Sequence, residues 1–303
     1  MVEQAPAWAA VVLLAVLLAL SLTGACADAV LALGRRQLAA PFQEGARLLV
    51  QQRRATPGSD GLLSRVGGAS LLVVASLMVA VVPWGGWTLL DSGVGVVWFN
   101  AMELVLWGGL WCAGWGANGA FALVGAHRWT AQVLSSQLPL MFSLICPALA
   151  AGSLRVADVE AAQDGLWFVA IMPVAFVTML GGVLAFAVWG PLSGPVGGDL
   201  QGGVLSESSG VDRLLVAVGR YALLAAGAAV SVPLFLGGGS GPLLPPLVWS
   251  VLKTVVVLVA LVATRRRFAL LRPERFAELA FLVVIPLVLL QVLVVAVYVL
   301  GRS

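Results

Sequence analysis

The sequence predicts an all-α integral membrane protein with about eight transmembrane helices and one interfacial amphipathic helix after the first. Three observations lead there. The residues AVILMFWYC make up 61% of the 303-residue chain and charged residues only 10%, against about 25% charged in a soluble domain. The apolar residues gather into runs of about 20, the length that carries a helix through the hydrocarbon core with every backbone donor and acceptor satisfied internally. A spanning β-barrel would alternate apolar and polar residues, and runs such as Ser70 to Val82 and Leu282 to Leu300 do not alternate.

The expected spans fall at 7–31, 66–84, 94–115, 131–152, 165–190, 212–236, 246–264 and 279–300, so residues 1–303 read as one polytopic membrane domain. Within the first run, Cys26 ends a stretch, Leu22-Thr23-Gly24-Ala25-Cys26, that faintly resembles a lipoprotein cleavage box. A signal peptide opens with basic residues, yet Met1 to Ala10 holds Glu3 and no Lys or Arg, so the run reads as a retained helix. Pro41 to Val50 mixes apolar and charged residues at helical spacing, too polar to span, and reads as a helix lying in the interface. That segment, about 35–65, and loops at about 116–130, 190–212 and 265–278 form the expected cytoplasmic side.

Basic residues set this orientation, because connections rich in Lys and Arg stay in the cytoplasm. The first connection carries Arg35, Arg36, Arg47, Arg53, Arg54 and Arg65, the third Arg128, and the seventh Arg265, Arg266, Arg267, Arg272 and Arg275. The second and sixth carry none, and the fourth sets Arg155 against Asp158, Glu160 and Asp164. Both termini are therefore expected outside. The net charge of +3 reflects this topology and is no nucleic-acid footprint. No repeat of 20–50 residues is evident, which counts against an inverted-repeat transporter.

Ionisable residues inside spans are costly and so point to function. Glu103, Arg220 and Lys253 are the intramembrane candidates, either for a polar path or as snorkelling or internally paired charges that only fix helix packing; for Asp28, near the inner end of the first span, the second reading is favoured. Cys26, Cys112 and Cys146 sit apart in apolar runs, and His127 is the single histidine, so no metal or cluster is expected to be held by this chain alone. The glycine-rich stretch 190–213 lacks the Gly-Lys-Ser/Thr of a nucleotide loop and reads as a linker. Gly109, Ala113 and Ala117, spaced by four, suit close helix packing.

Gly114-Trp115-Gly116-Ala117-Asn118-Gly119-Ala120-Phe121-Ala122-Leu123-Val124-Gly125-Ala126-His127-Arg128, with Ala131-Gln132 and Ser135, resembles a stretch of the H-type subunit of NADH-quinone oxidoreductase, subunit 1 of respiratory complex I. In that family it is written G-W-x-x-N-x-x-Y/F-A-L-x-G-x-x-R-x-x-A-Q-x-x-S. Pro41 to Leu48 resembles the family's amphipathic segment, and Asp199 to Gly203 with Ser206 to Gly210 resembles its E-L-x-x-G and S-E-Y-S-G loop. Trp249, Lys253 and Thr254, then Arg272 to Leu279 with Pro286, resemble its last two helices. The resemblance implies a subunit that docks a redox arm onto a membrane arm, lines a quinone chamber and links it to proton pumping. It implies quinone as a shared substrate with no cofactor of the chain's own. The implied partners are the lipid bilayer, iron–sulfur subunits of a quinone module and antiporter-like membrane subunits. Glu44, Arg47, Arg128, Asp199, Glu207 and Lys253 are the residues it carries over.

Departures accompany it. The family's G-P-N-R-V-G-P run is missing, with only Leu38 to Ala40 between Gln37 and Pro41. The glutamate of S-Y-E is Gln137, an amide that cannot ionise. An acidic run has thinned to Pro195 to Asp199, and a glutamate expected before Tyr221 is Arg220. Glu103 is a candidate to compensate for a lost carboxylate. The expected function is a membrane-arm core subunit of a proton-translocating NADH-quinone oxidoreductase-like complex in the cell membrane. The alternatives are the equivalent subunit of a membrane-bound hydrogenase or formate-hydrogenlyase-like complex, and a stand-alone ion transporter.

Overall fold

A computed structural model describes residues 3–34 and 37–301. Met1, which entered the signal-peptide argument, and Arg35 and Arg36, which entered the orientation argument, lie outside the described residues. The helices are α1 (Ala9–Leu33), α2 (Ala40–Val50), α3 (Gly61–Val79), α4 (Gly95–Gly116), α5 (Ala120–Ala151), α6 (Val156–Ala161), α7 (Phe168–Ile171), α8 (Pro173–Phe186), α9 (Gly210–Phe235), α10 (Pro246–Arg267), α11 (Pro273–Leu279) and α12 (Ile285–Leu300). Among the described residues seven helices are long and apolar enough to cross a membrane; α11, a π turn at Ala280–Val284 and α12 form one of them. The amphipathic helix expected after the first span is α2.

Two expected elements differ. The fifth span, 165–190, is broken into α7 and α8, and α8 is shorter than the others. Pro173 lacks an N–H and bars Met172 from the helical region, leaving it at φ −130 and ψ 60. The loop expected at 116–130 is helical from Ala120, so α4 and α5 are joined by residues 117–119 alone. At 32 residues, α5 is about 48 Å long, more than the roughly 30 Å of a hydrocarbon core. Its first turns can therefore carry His127 and Arg128 in polar surroundings without unwinding. A short parallel pairing of Glu3–Gln4 (β1) with Trp87–Thr88 (β2), unforeseen in the sequence, ties the N-terminal segment to the turn after α3.

Local chemistry sets the helix ends. The Asp60 carboxylate accepts from the N–H groups of Leu62 and Leu63 at 3.0 Å and caps α3. Proline stands in the first turn of α8, α10 and α11, where a missing N–H costs nothing. Helix α9 is the core: every residue from Ala222 to Phe235 is buried, the signature of a helix surrounded on all faces. Helix α3 packs against both α4 and α9. A Cβ on Gly67 would lie 2.4 Å from the Ala113 nitrogen and 2.5 Å from the Gly109 oxygen, so the small-residue stripe read on α4 is where α3 lies against it.

The first, third and seventh connections, which hold most of the connecting arginines, share one end of the bundle. Asp28 of α1 accepts from Arg265 and Arg266 at the end of α10, both at 3.0 Å. At the opposite end Arg155 forms a bidentate pair with Asp91, and the carboxylate of Glu160 accepts from the Gly239 N–H at 2.8 Å. The Arg155 guanidinium holds the Asp91 carboxyl below the usual carboxylate range. Burial outweighs its hydrogen bond at Glu160 and pushes that carboxyl up.

Candidate functional site

Three stretches far apart in sequence meet at the arginine-rich end. The segment after α2 runs beneath the α4–α5 turn: the Asn118 amide donates to the Pro57 carbonyl at 3.0 Å, the Asp60 N–H to Gly116 at 2.9 Å, and the Thr56 hydroxyl to Ala117. The same segment meets the start of α9, where the Ser209 hydroxyl accepts from the Arg54 N–H at 2.7 Å and Arg53 pairs with Asp212 at 3.1 Å. Glu207 completes the junction by packing on Gly119, where an added Cβ would lie 2.8 Å from the Glu207 Cγ. Arg53, Arg54, Arg65, Glu207 and Asp212 line the resulting cleft of about 80 Å³. Three guanidinium groups against two carboxylates leave it positive, and it can orient a polar ligand by hydrogen bonds.

The stretch 190–205, read from sequence as a flexible linker, consists of short 3₁₀ turns laid along α5. Its glycines serve contact: a Cβ on Gly125 would lie 2.5 Å from the Val204 nitrogen and 2.7 Å from the Pro195 oxygen, so only glycine admits the loop there. One turn further along α5, Arg128 pairs with Asp199 at 2.6 Å and holds its carboxyl below the usual range. Glu44 and Arg47 instead pair with each other across one turn of α2, at 2.6 and 2.7 Å, more than half exposed. The Arg47 hydrogen bond holds the Glu44 carboxyl down. Of the surface candidates, then, Glu207 lines the cleft, Arg128 and Asp199 clamp the loop beside it, and Glu44 and Arg47 form a self-contained pair on α2.

The three intramembrane candidates are not brought together. Lys253 lies in the second turn of α10, at the end away from the arginines. Its ammonium donates to the carbonyls of Leu236, Gly238 and Ser240 at 2.7, 2.9 and 2.8 Å and sits 4.2 Å from the centre of the Trp167 ring. All three of its donors are used on the turn that follows α9. Arg220 donates to the carbonyls of Ala187 and Val188 at the end of α8, and its guanidinium lies 5.3 Å from the Trp189 ring. Val188 is held at φ +52, a strained conformation for a β-branched residue. Glu103 is buried between α4 and α5.

Sequence reasoning did not assemble the cluster around Asp28, which binds Arg265, Arg266 and the Tyr221 hydroxyl, the last at 3.2 Å. Nor did it find Gln163, whose amide donates to Pro233 and accepts from Phe168 and Gly237. The basic run 265–267 was the only available signal for the first, and no signal marks the second. No group of three or more metal-ligating side chains occurs among the described residues. An apolar hollow of about 430 Å³ opens near the arginine-rich end, lined by residues including Pro139, Thr178, Phe268, Leu271 and Phe276, and could take an apolar ligand.

Comparison with known proteins gives this geometry a family. A family model described as NADH dehydrogenase matches residues 8–296. The chain is 34% identical over 265 residues to NADH-quinone oxidoreductase H-type subunit 2 of Geobacter sulfurreducens, covering 84% of this chain and 80% of that protein. It is 32% identical to the protein of the same name from Rhodopseudomonas palustris, over 85% and 81% of the two chains. It is 29% identical to the H-type subunit of a Geobacillus strain, over 87% and 81%. The match therefore takes in the spans, the interfacial helix and the loops that build the cleft, and the chain belongs to the NADH dehydrogenase family as a multi-pass membrane protein.

Proposed function

We propose that the chain is a membrane-arm core subunit of a proton-translocating NADH-quinone oxidoreductase-like complex, helping to form the chamber in which quinone is reduced and coupling that chemistry to proton translocation. The observation that carries this reading is the junction of residues 51–60, 116–120 and 206–210 around Glu207 and three arginines at one end of the bundle. Quinone reduction takes up two electrons and two protons, so the chamber needs charged and hydrogen-bonding groups at the membrane surface. The cleft supplies them from parts of the chain that a small displacement of any one would rearrange. Among the described residues no side-chain set could hold a metal cluster, so electrons would reach quinone from a partner's iron–sulfur cofactors docked at the arginine-rich end. Antiporter-like subunits would pack beside the bundle in the cell membrane, with the arginine-rich end cytoplasmic and both termini outside.

The hydrogenase-type alternative is not favoured, since the relatives carry the name of the quinone oxidoreductase subunit. The test is turnover in the assembled complex. Glu207→Gln keeps the size and removes the charge, and Asp199→Asn releases the clamp on Arg128. Each should lower quinone reductase turnover about tenfold, the effect of losing about 1.4 kcal/mol, with assembly intact. Normal turnover in both would make the chain a scaffold, and ion transport by the chain alone in liposomes would make it a transporter.

A further inference from the structure

Helices α1 and α10 meet toward the arginine-rich end and part at the other. Asp28 pairs with Arg265 there, and a Cβ on Gly24 would lie 3.5 Å from the Leu258 side chain. Toward the opposite end a groove of about 820 Å³ opens between them, within the range of about 300–1,000 Å³ that takes small ligands. Val12 and Val16 of α1 form one wall, Leu247 and Val251 of α10 the other. The turn after α3 closes the far end with Trp84 and Trp87. That turn is seated on α10, since a Cβ on Gly85 would lie 2.6 Å from the Leu247 nitrogen. Along α1 the groove runs about 11 Å from Ala9 to Val16, and along α10 about 8 Å from Pro246 to Val251.

That depth decides what can fill it. A partner's spanning helix needs a seat along about 30 Å of hydrocarbon, and this wedge closes within one leaflet. Acyl chains of a single lipid match it. Trp8 and Trp87, both more than half exposed, stand at its mouth, where amphipathic rings mark the headgroup level. The Trp84 indole N–H is buried without an acceptor in the protein, a costly state that an ester carbonyl at this depth would relieve. Charge selects the headgroup. The stretches that build the groove, 3–16, 84–89 and 247–251, contain the exposed Glu3 and no Lys or Arg. A phosphate alone finds no cation there, whereas an ammonium finds a carboxylate. We propose that the α1–α10 groove is a binding site for one phospholipid with an amine-bearing zwitterionic headgroup, of the phosphatidylethanolamine type, drawn from the leaflet opposite the arginine-rich end. Its chains lie between α1 and α10, its ester region lies at Trp84, and its ammonium meets Glu3. The lipid holds apart two helices that the protein alone leaves unpacked.

The site is independent of the proposed function and of which way the bundle faces. It is tested on the assembled complex in nanodiscs of phosphatidylethanolamine and phosphatidylglycerol in equal parts. A trace of either lipid, carrying a photoreactive diazirine in one acyl chain, is added, and labelled peptides are mapped after illumination. The phosphatidylethanolamine probe should label 9–16 and 247–251 more than the phosphatidylglycerol probe does. Val12→Trp with Val251→Phe fills the groove and should remove most of that label while labelling elsewhere on the chain stays. Glu3→Gln, a change at an exposed side chain that leaves packing alone, should keep the label and erase the preference between the two probes. Equal labelling by both probes in the wild type would mean passing annular lipid and overturn the proposal. So would a filled variant labelled as strongly as the wild type, or a preference that survives Glu3→Gln. No label at either stretch would mean that protein covers the groove, and would overturn it too.

Discussion

At the scale of single residues, the two cations of the spans, Lys253 and Arg220, are explained by what their charges touch. Lys253 had the sequence marks of a proton-path residue, but its ammonium is the centre of a turn: three carbonyls at 236, 238 and 240 point at it, and Trp167 covers it. Hydrogen bonds to a charged group contribute about 1.5–3 kcal/mol, and acceptors left unpaired when buried cost a similar amount. Lys253→Met should therefore lower stability by about 3 kcal/mol, seen as an earlier thermal transition in detergent. An unchanged transition would mean that the turn is held without it. That these residues mattered was legible in the sequence, because a charge in a span is expensive wherever it points. Their partners were not, because backbone carbonyls leave no mark in composition and the Asp28 arginines lie 237 and 238 residues away. Arg220 shows the same limit. Its sign opposes the family pattern, and the reason, two carbonyls at the end of α8, lies in another helix.

At the scale of elements, the loop 190–205 carries most of what the sequence left open. Its glycines read as flexibility, yet they are the condition for lying flush on α5, where Gly125 meets Val204 and Pro195. Composition cannot tell a glycine that permits motion from one that permits contact. The same ambiguity hid the start of α5, whose polar residues mark a helix leaving the membrane. The loop's one charged clamp gives a prediction with a definite sign. The Asp199 carboxyl is held below its ordinary value of 3.8 by Arg128. Its contribution is therefore fully present above 3.8 and is lost as pH falls through the lower folded value. Such a half-exposed pair contributes at most about 1 kcal/mol, so the loop should loosen without unfolding the bundle. Hydrogen exchange of amides 196–202, taken relative to the intrinsic rate at each pH, should rise below pH 3.8 in the wild type. In Asp199→Asn it should be already raised at neutral pH. An Asn variant as protected as the wild type would show that backbone packing at Gly125 suffices.

At the scale of the whole molecule, the two ends differ in kind. One gathers arginines on several connections and the charged cleft; the other is closed by short turns, tryptophans and the β1–β2 pairing. Spans were legible because hydrophobicity is summed over 20 residues and survives local irregularity, as the broken α7–α8 segment shows. The sidedness rests on the energetics of moving guanidinium groups across a bilayer, which favours leaving them where synthesis occurs. It is tested directly by placing one cysteine at each end, after replacing Cys26, Cys112 and Cys146. Ala55 and Asp164 are both exposed and belong to opposite ends. In intact cells an impermeant thiol reagent should label Asp164→Cys and spare Ala55→Cys until the membrane is opened. The reverse pattern would turn the cleft outward, away from any cytoplasmic electron donor, and would remove the chamber from the function proposed for it.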